Sequence, residues 1–95
     1  MDIYKIPVSK KQDMEKILAT DPVFRLSVTT KDSTVFNQSG FLYLILEGSE
    51  ERLKIARDML SKISENIKEE EKIKVQELIE NERKNVYDSL GSIFG

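Results

Sequence analysis

The sequence predicts an α+β fold. The expected form is a small antiparallel sheet of three to four strands, in β-α-β-β-β-α-α order, with helices on one face and a long or broken C-terminal helical segment. Three observations carry this. Residues 2–8 and 23–30 alternate apolar and polar side chains with period two. Residues 41–46 are apolar without interruption. Leu53, Ala56, Leu60, Ile63 and Ile67 then step by three and four, the spacing of one helical face.

In chain order, Asp2 to Val8 places Tyr4, Ile6 and Val8 on one side and Ile3 and Lys5 on the other, which reads as a strand. Pro7 has no N–H for a ladder, so this strand belongs at an edge or ends there. Ser9 followed by Gln12 matches a capping box and predicts a helix start. Met14, Ile17 and Leu18 share a face of that helix, and Pro22 disfavours helical geometry before it, so the helix ends by Asp21. Val23 to Thr30 is the second predicted strand, with Phe24, Leu26 and Val28 on one side. "KDST" has turn chemistry, "TVF" is a short third strand, and "NQSG" is a second turn that ends on the permissive Gly40. Phe41 to Glu47 is the fourth strand. It is apolar on both faces, which predicts a central position with a cover on each side, or one cover and a partner.

Ser49 caps the next helix, with Gly48 making the turn before it. Ile55 and Met59 widen the apolar stripe of that helix. The stripe lapses at Lys68 to Lys72 and resumes out of phase at Ile73, Val75, Leu78 and Ile79, then Val86, Leu90 and Ile93. No Gly or Pro occurs from Ser49 to Leu90. The segment is therefore one helix of about 60 Å at 1.5 Å per residue, or two helices that break near Asn66, a residue type that tolerates the left-handed conformation. The expected organisation is an α+β core over residues 1–68 and a C-terminal helix over residues 69–95, packed back on the core or used for association.

Composition excludes more chemistry than it suggests. The chain has 95 residues, no cysteine and no histidine. That removes disulfides, thiolate catalysis, Cys/His zinc sites, haem held by His or Cys, and histidine-dependent triads. Residues 1–48 carry six basic and six acidic side chains, and residues 49–95 carry nine and eleven. Neither half has the basic excess that drives phosphate-dominated nucleic-acid binding. The longest apolar run, Phe41 to Leu46, is far too short to span a membrane. The N-terminus lacks the long apolar core of a secretory signal. The expectation is a cytoplasmic protein with no membrane association.

The stretch "FLYLILEGSEERLKIARDML" joins a strand, a glycine turn and a helix start, a geometry that can hold an anion. Here Glu50 and Glu51 fill the first helical turn, where they complement the helix dipole and repel phosphate, and no Walker pattern occurs in the chain. Leu46, Gly48, Glu51 and Ala56 within this stretch make it similar to the closing strand and helix of KH-type RNA-binding domains, over about twenty residues. The resemblance implies a KH-like build. It brings no binding residues, because the family grips the nucleic-acid backbone through a GXXG loop, and the glycines here, at 40, 48, 91 and 95, form none.

Other clusters yield less. Lys10, Lys11, Lys16 and Arg25, with Tyr43, are the candidate nucleic-acid face, since bases stack on exposed aromatics framed by cations. Acidic residues are interspersed among them. "EEEK" with Glu65 and Glu77 supplies oxygen donors without the spacing of a calcium loop. Glu50–Lys54, Asp58–Lys62, Glu70–Lys74 and Glu80–Lys84 instead fit solvent-exposed helix pairs. No catalytic residue, cofactor site or metal site is expected. The expected function is non-catalytic binding of protein, first of all self-association, through Val75, Leu78, Ile79, Val86, Leu90, Ile93 and Phe94. The alternative is a KH-like RNA- or DNA-associated module.

Overall fold

The structure, a computed structural model, describes the backbone of residues 1–94 and the side chains of residues 1–84. It is an α+β domain of three strands and three α-helices. The elements are β1 (Asp2–Pro7), α1 (Lys11–Leu18), β2 (Ser27–Asp32), β3 (Phe41–Glu47), α2 (Glu50–Leu60) and α3 (Glu69–Phe94). All strand pairs are antiparallel and the order is β1-β3-β2. The most apolar strand, β3, is central, as its sequence predicts.

Side chains alternate across a strand, and on β3 this separates two cores. Leu44 and Leu46 turn to one face, where they pack with Tyr4, Ile6, Met14, Leu53, Ala56 and Leu60 under α1 and α2. Tyr43 and Ile45 turn to the other, where they pack with Ile3, Val75 and Ile79 under α3. The expectation of helices on one face thus holds for α1 and α2 only. A strand that is apolar on both sides needs two covers, and α3 supplies the second.

The helical half breaks in two. α2 ends at Leu60, and Glu65 donates its N–H to the Lys5 carbonyl at 2.8 Å before α3 starts at Glu69. Asn66 lies within the break but does not take a left-handed conformation. The phase change in the apolar stripe is the mark of this break, because the two helices serve opposite faces of the sheet.

Three local expectations change. Val23–Arg25 is a 3₁₀ turn rather than the start of β2. Thr20, Pro22 and Val23 carbonyls accept from the next amides in line, so the chain turns before it extends. Phe24 and Val28 are consequently exposed, at 54% and 41%. "TVF" is also a 3₁₀ turn, Ser33–Phe36. Asp32 accepts from the Thr34 N–H at 2.9 Å, and Asn37 closes the turn with φ at +58°. Ser9 caps nothing: it lies in the 3₁₀ turn Val8–Lys10, and α1 begins after it. The Ser49 cap is present, with its hydroxyl accepting from the Arg52 N–H. Gly48 takes φ +156°, where a side chain is strained, and a Cβ there would also press on Leu26 Cδ2 at 2.5 Å.

Candidate interaction surface

α3 crosses the sheet obliquely, and among the described residues each strand makes an ionic contact with it. Near its start, Glu71 meets Lys5 of β1 at 3.2 Å, and Lys72 and Gln76 lie beside Met1 and Ile3. Val75 and Ile79 then seat on Tyr43 and Ile45 of β3. Further on, Glu82 meets Lys31 of β2 at 2.7 Å, and Arg83 pairs with Glu47 of β3. The helix therefore enters over β1 and leaves over β2.

Glu71 is the most connected of these groups. Its Oε1 accepts from the Lys68 N–H, and its Oε2 accepts from the Tyr43 hydroxyl at 2.9 Å and faces the Lys5 ammonium. Partial burial alone pushes the carboxyl up. The Tyr43 and Lys5 hydrogen bonds, with the Lys68 amide, outweigh it and hold the group below its ordinary value. The Tyr43 phenol is pushed up to about 12, by burial first and then by its bond to the Glu71 carboxylate. Tyr4 is likewise raised to about 12, by burial and then by Asp2. A raised phenol is neutral in the fold and ionises earlier in the unfolded chain. Its contribution to stability is complete below the ordinary value of 10 and is lost as pH rises towards 12. Unfolding free energy should thus be level from pH 8 to 9 and fall between about 10 and 12. Phenolate absorbance with its midpoint near the ordinary value of 10, with no change in fold, would show these tyrosines to be solvated.

The structure separates the aromatic of the candidate nucleic-acid face from its lysines. Tyr43 is 2% exposed, lies edge-on to Phe36 and Phe41, and is roofed by α3. Lys10, Lys11 and Lys16 belong to the α1 side of the sheet, the opposite face, and Arg25 is paired with Asp21 at 3.3 Å. Both sheet faces carry helices, so the aromatic of the proposed platform offers no surface to a base. The chain should bind single-stranded RNA no more tightly than tens of micromolar near physiological salt. Fluorescence anisotropy with a labelled oligonucleotide tests this, and salt-sensitive sub-micromolar binding contradicts it.

The candidate association residues divide. Val75 and Ile79 are 0% and 3% exposed and form part of the second core, and Leu78 beside them is half-buried. The first two are covered by this chain's own sheet because the helical half breaks and folds back. Val86, Leu90, Ile93 and Phe94 lie outside the residues whose side chains are described. Among the described residues no cluster of acidic side chains could hold a metal ion, and no helix is long and apolar enough to cross a membrane.

The two sheet edges differ, and sequence reasoning missed this. In an antiparallel ladder, both backbone groups of a residue point to the same side, and the side alternates. Lys5 turns its carbonyl outward to Glu65, whereas Val8 turns its N–H inward to Gly40. Lys5 therefore faces out, and Tyr4 and Ile6 face β3. By register, Tyr43, Ile45 and Glu47 of β3 then bond β2, through Lys31, Thr29 and Ser27. Val28, Thr30 and Asp32 face outward. The β1 edge is blunted, since Pro7 has no N–H and Glu65 occupies the Lys5 carbonyl. The β2 edge is not. Among the described residues, no backbone bond reaches Val28 or Thr30 from outside the sheet. Only Pro7 gave a sequence signal for an edge. The open one was hidden by the expected "TVF" strand, which would have extended the sheet.

The fold and this surface define a small α+β domain with helices on both faces of its sheet and, among the described residues, a β2 edge that no backbone bond covers. No protein family matches the chain, and no curated protein or solved structure is significantly similar to it.

Proposed function

We propose that the chain is a small non-catalytic interaction module that binds protein, and first a second copy of itself. The carrying observation is the inequality of the sheet edges. An unpaired edge is a template for another strand, and folded proteins close such edges with proline, bulges or a covering segment. β1 has two of these devices. β2, "SVTTKD", has neither Pro nor Gly, and its outward residues Val28 and Thr30 are β-branched and exposed. The densest polar cluster, Lys5, Tyr43 and Glu71, favours binding over catalysis: its members satisfy one another and fasten α3.

The test is sedimentation of the full chain across a concentration series. The expected result is a dimer at micromolar concentration that dissociates on dilution. A compact monomer at hundreds of micromolar overturns the proposal.

A further inference from the structure

Resting on that self-association reading, we infer that two copies join by antiparallel pairing of their β2 edges, with Thr29 on the two-fold axis, to make one six-stranded sheet. Closed two-fold dimers use the same patch on both copies, so the edge must be complementary to itself. Two conditions fix the register. A two-fold axis normal to the sheet matches residues of the same face, and residues with outward backbone groups must meet each other. Val28 with Val28 and Thr30 with Asp32 meet both but overlap only three residues of β2, and two registers overlap five: Val28 with Thr30, and Thr30 with Thr30. The second sets Val28 opposite Asp32, an apolar side chain against a carboxylate. The first sets Val28 against Thr30, a β-branched pair that stabilises an antiparallel sheet. In that register Val28 and Thr30 exchange both N–H···O bonds, and the Thr29 residues face each other as a non-hydrogen-bonded pair.

The course of α3 argues that the occupant is a second copy rather than a lone peptide. The helix leaves the sheet over β2, where Thr29 lies beside Ile79, Glu82 and Arg83. It continues to Phe94, which at 1.5 Å per residue is roughly 16 Å past Arg83. In sequence, Val86, Leu90 and Ile93 keep the helical spacing of Val75 and Ile79. A paired copy sets another sheet alongside β2, and the two-fold brings its α3 back across the seam in the opposite direction. A single added strand offers that overhang no such partner.

The chain contains no cysteine, so one introduced thiol reports contact. Thr29→Cys should oxidise to a disulfide-linked dimer, because Cα atoms in a non-hydrogen-bonded pair lie about 4.5 Å apart, within disulfide range. Lys54→Cys, on the exposed side of α2, should cross-link far more slowly. Thr30→Pro removes an outward N–H and leaves the β2–β3 ladder intact. It should weaken the dimer by about tenfold or more with an unchanged circular dichroism spectrum. A dimer in which Thr29→Cys links no faster than Lys54→Cys overturns the edge pairing and leaves self-association standing, and this holds even if Thr30→Pro fails to fold. Thr30→Pro folding normally with undiminished dimerisation does the same. A monomeric full chain overturns both.

Discussion

Leu60→Ala should lower the unfolding free energy by roughly 2–5 kcal/mol, the range for truncating a well-packed leucine. Leu60 is fully buried at the C-terminal end of α2, in the cluster that holds Tyr4, Ile6 and Leu44 of the sheet. Two terms act together: lost transfer energy of the removed carbons and the cavity they leave. A domain of this size has about 5–15 kcal/mol in total, so one truncation removes a large share. Urea denaturation followed by circular dichroism reads the shift in midpoint. A loss below about half a kilocalorie would mean that α2 does not seat on the sheet through this residue.

Ile79→Ala should cost a similar amount, about 2–5 kcal/mol, with a different pattern. Ile79 is 3% exposed, and among the described residues the buried part of its cluster is Ile3, Tyr43, Ile45, Val75 and Ile79. α3 is a separate layer on the face opposite α2, held further by the contacts of Lys5, Lys31 and Glu47 with Glu71, Glu82 and Arg83. The more exposed pairs of Glu82 and Arg83 add at most about 1 kcal/mol each, so the apolar contact decides. Hydrogen exchange should show amides of residues 69–83 losing protection before those of α2 in this variant. Equal loss in both helices would show that the two layers unfold as one unit. A negligible change in stability would return Ile79 to the seam between chains, one of the two places that sequence alone allowed.

Local chemistry was legible and long-range geometry was not. β1, β3 and α2 stand where period and capping put them, because alternation on residues 2–7, the apolar run at 41–46 and Ser49 before Glu50 act between near neighbours. The misreadings also have local causes. Val23 to Arg25 alternates like a strand, yet its amides find carbonyls behind them. "TVF" is β-prone, yet the Asp32 carboxylate and Asn37 bend it into a turn.

The candidate site was less legible than the fold. Val75 and Ile79 were correctly singled out as an apolar stripe, but a stripe does not say whether its own sheet or another chain covers it. Tyr43 looked available for stacking because its neighbours in sequence do not reveal the helix above it, which arrives from 28 positions further along as the Glu71 hydrogen bond.

By itself the sequence determined the class of the fold, the central place of β3, the cap of α2, and the absence of histidine and cysteine chemistry. These follow from residue type and short spacing. The tertiary structure alone decided that α3 covers the second face, that Lys5, Glu47 and Lys31 fasten it, and that among the described residues β1 is partly covered while β2 is not. Each of these depends on where the break at residues 61–68 sends the chain. Only the assembled sheet has edges and faces, so no local pattern can say which of them is covered.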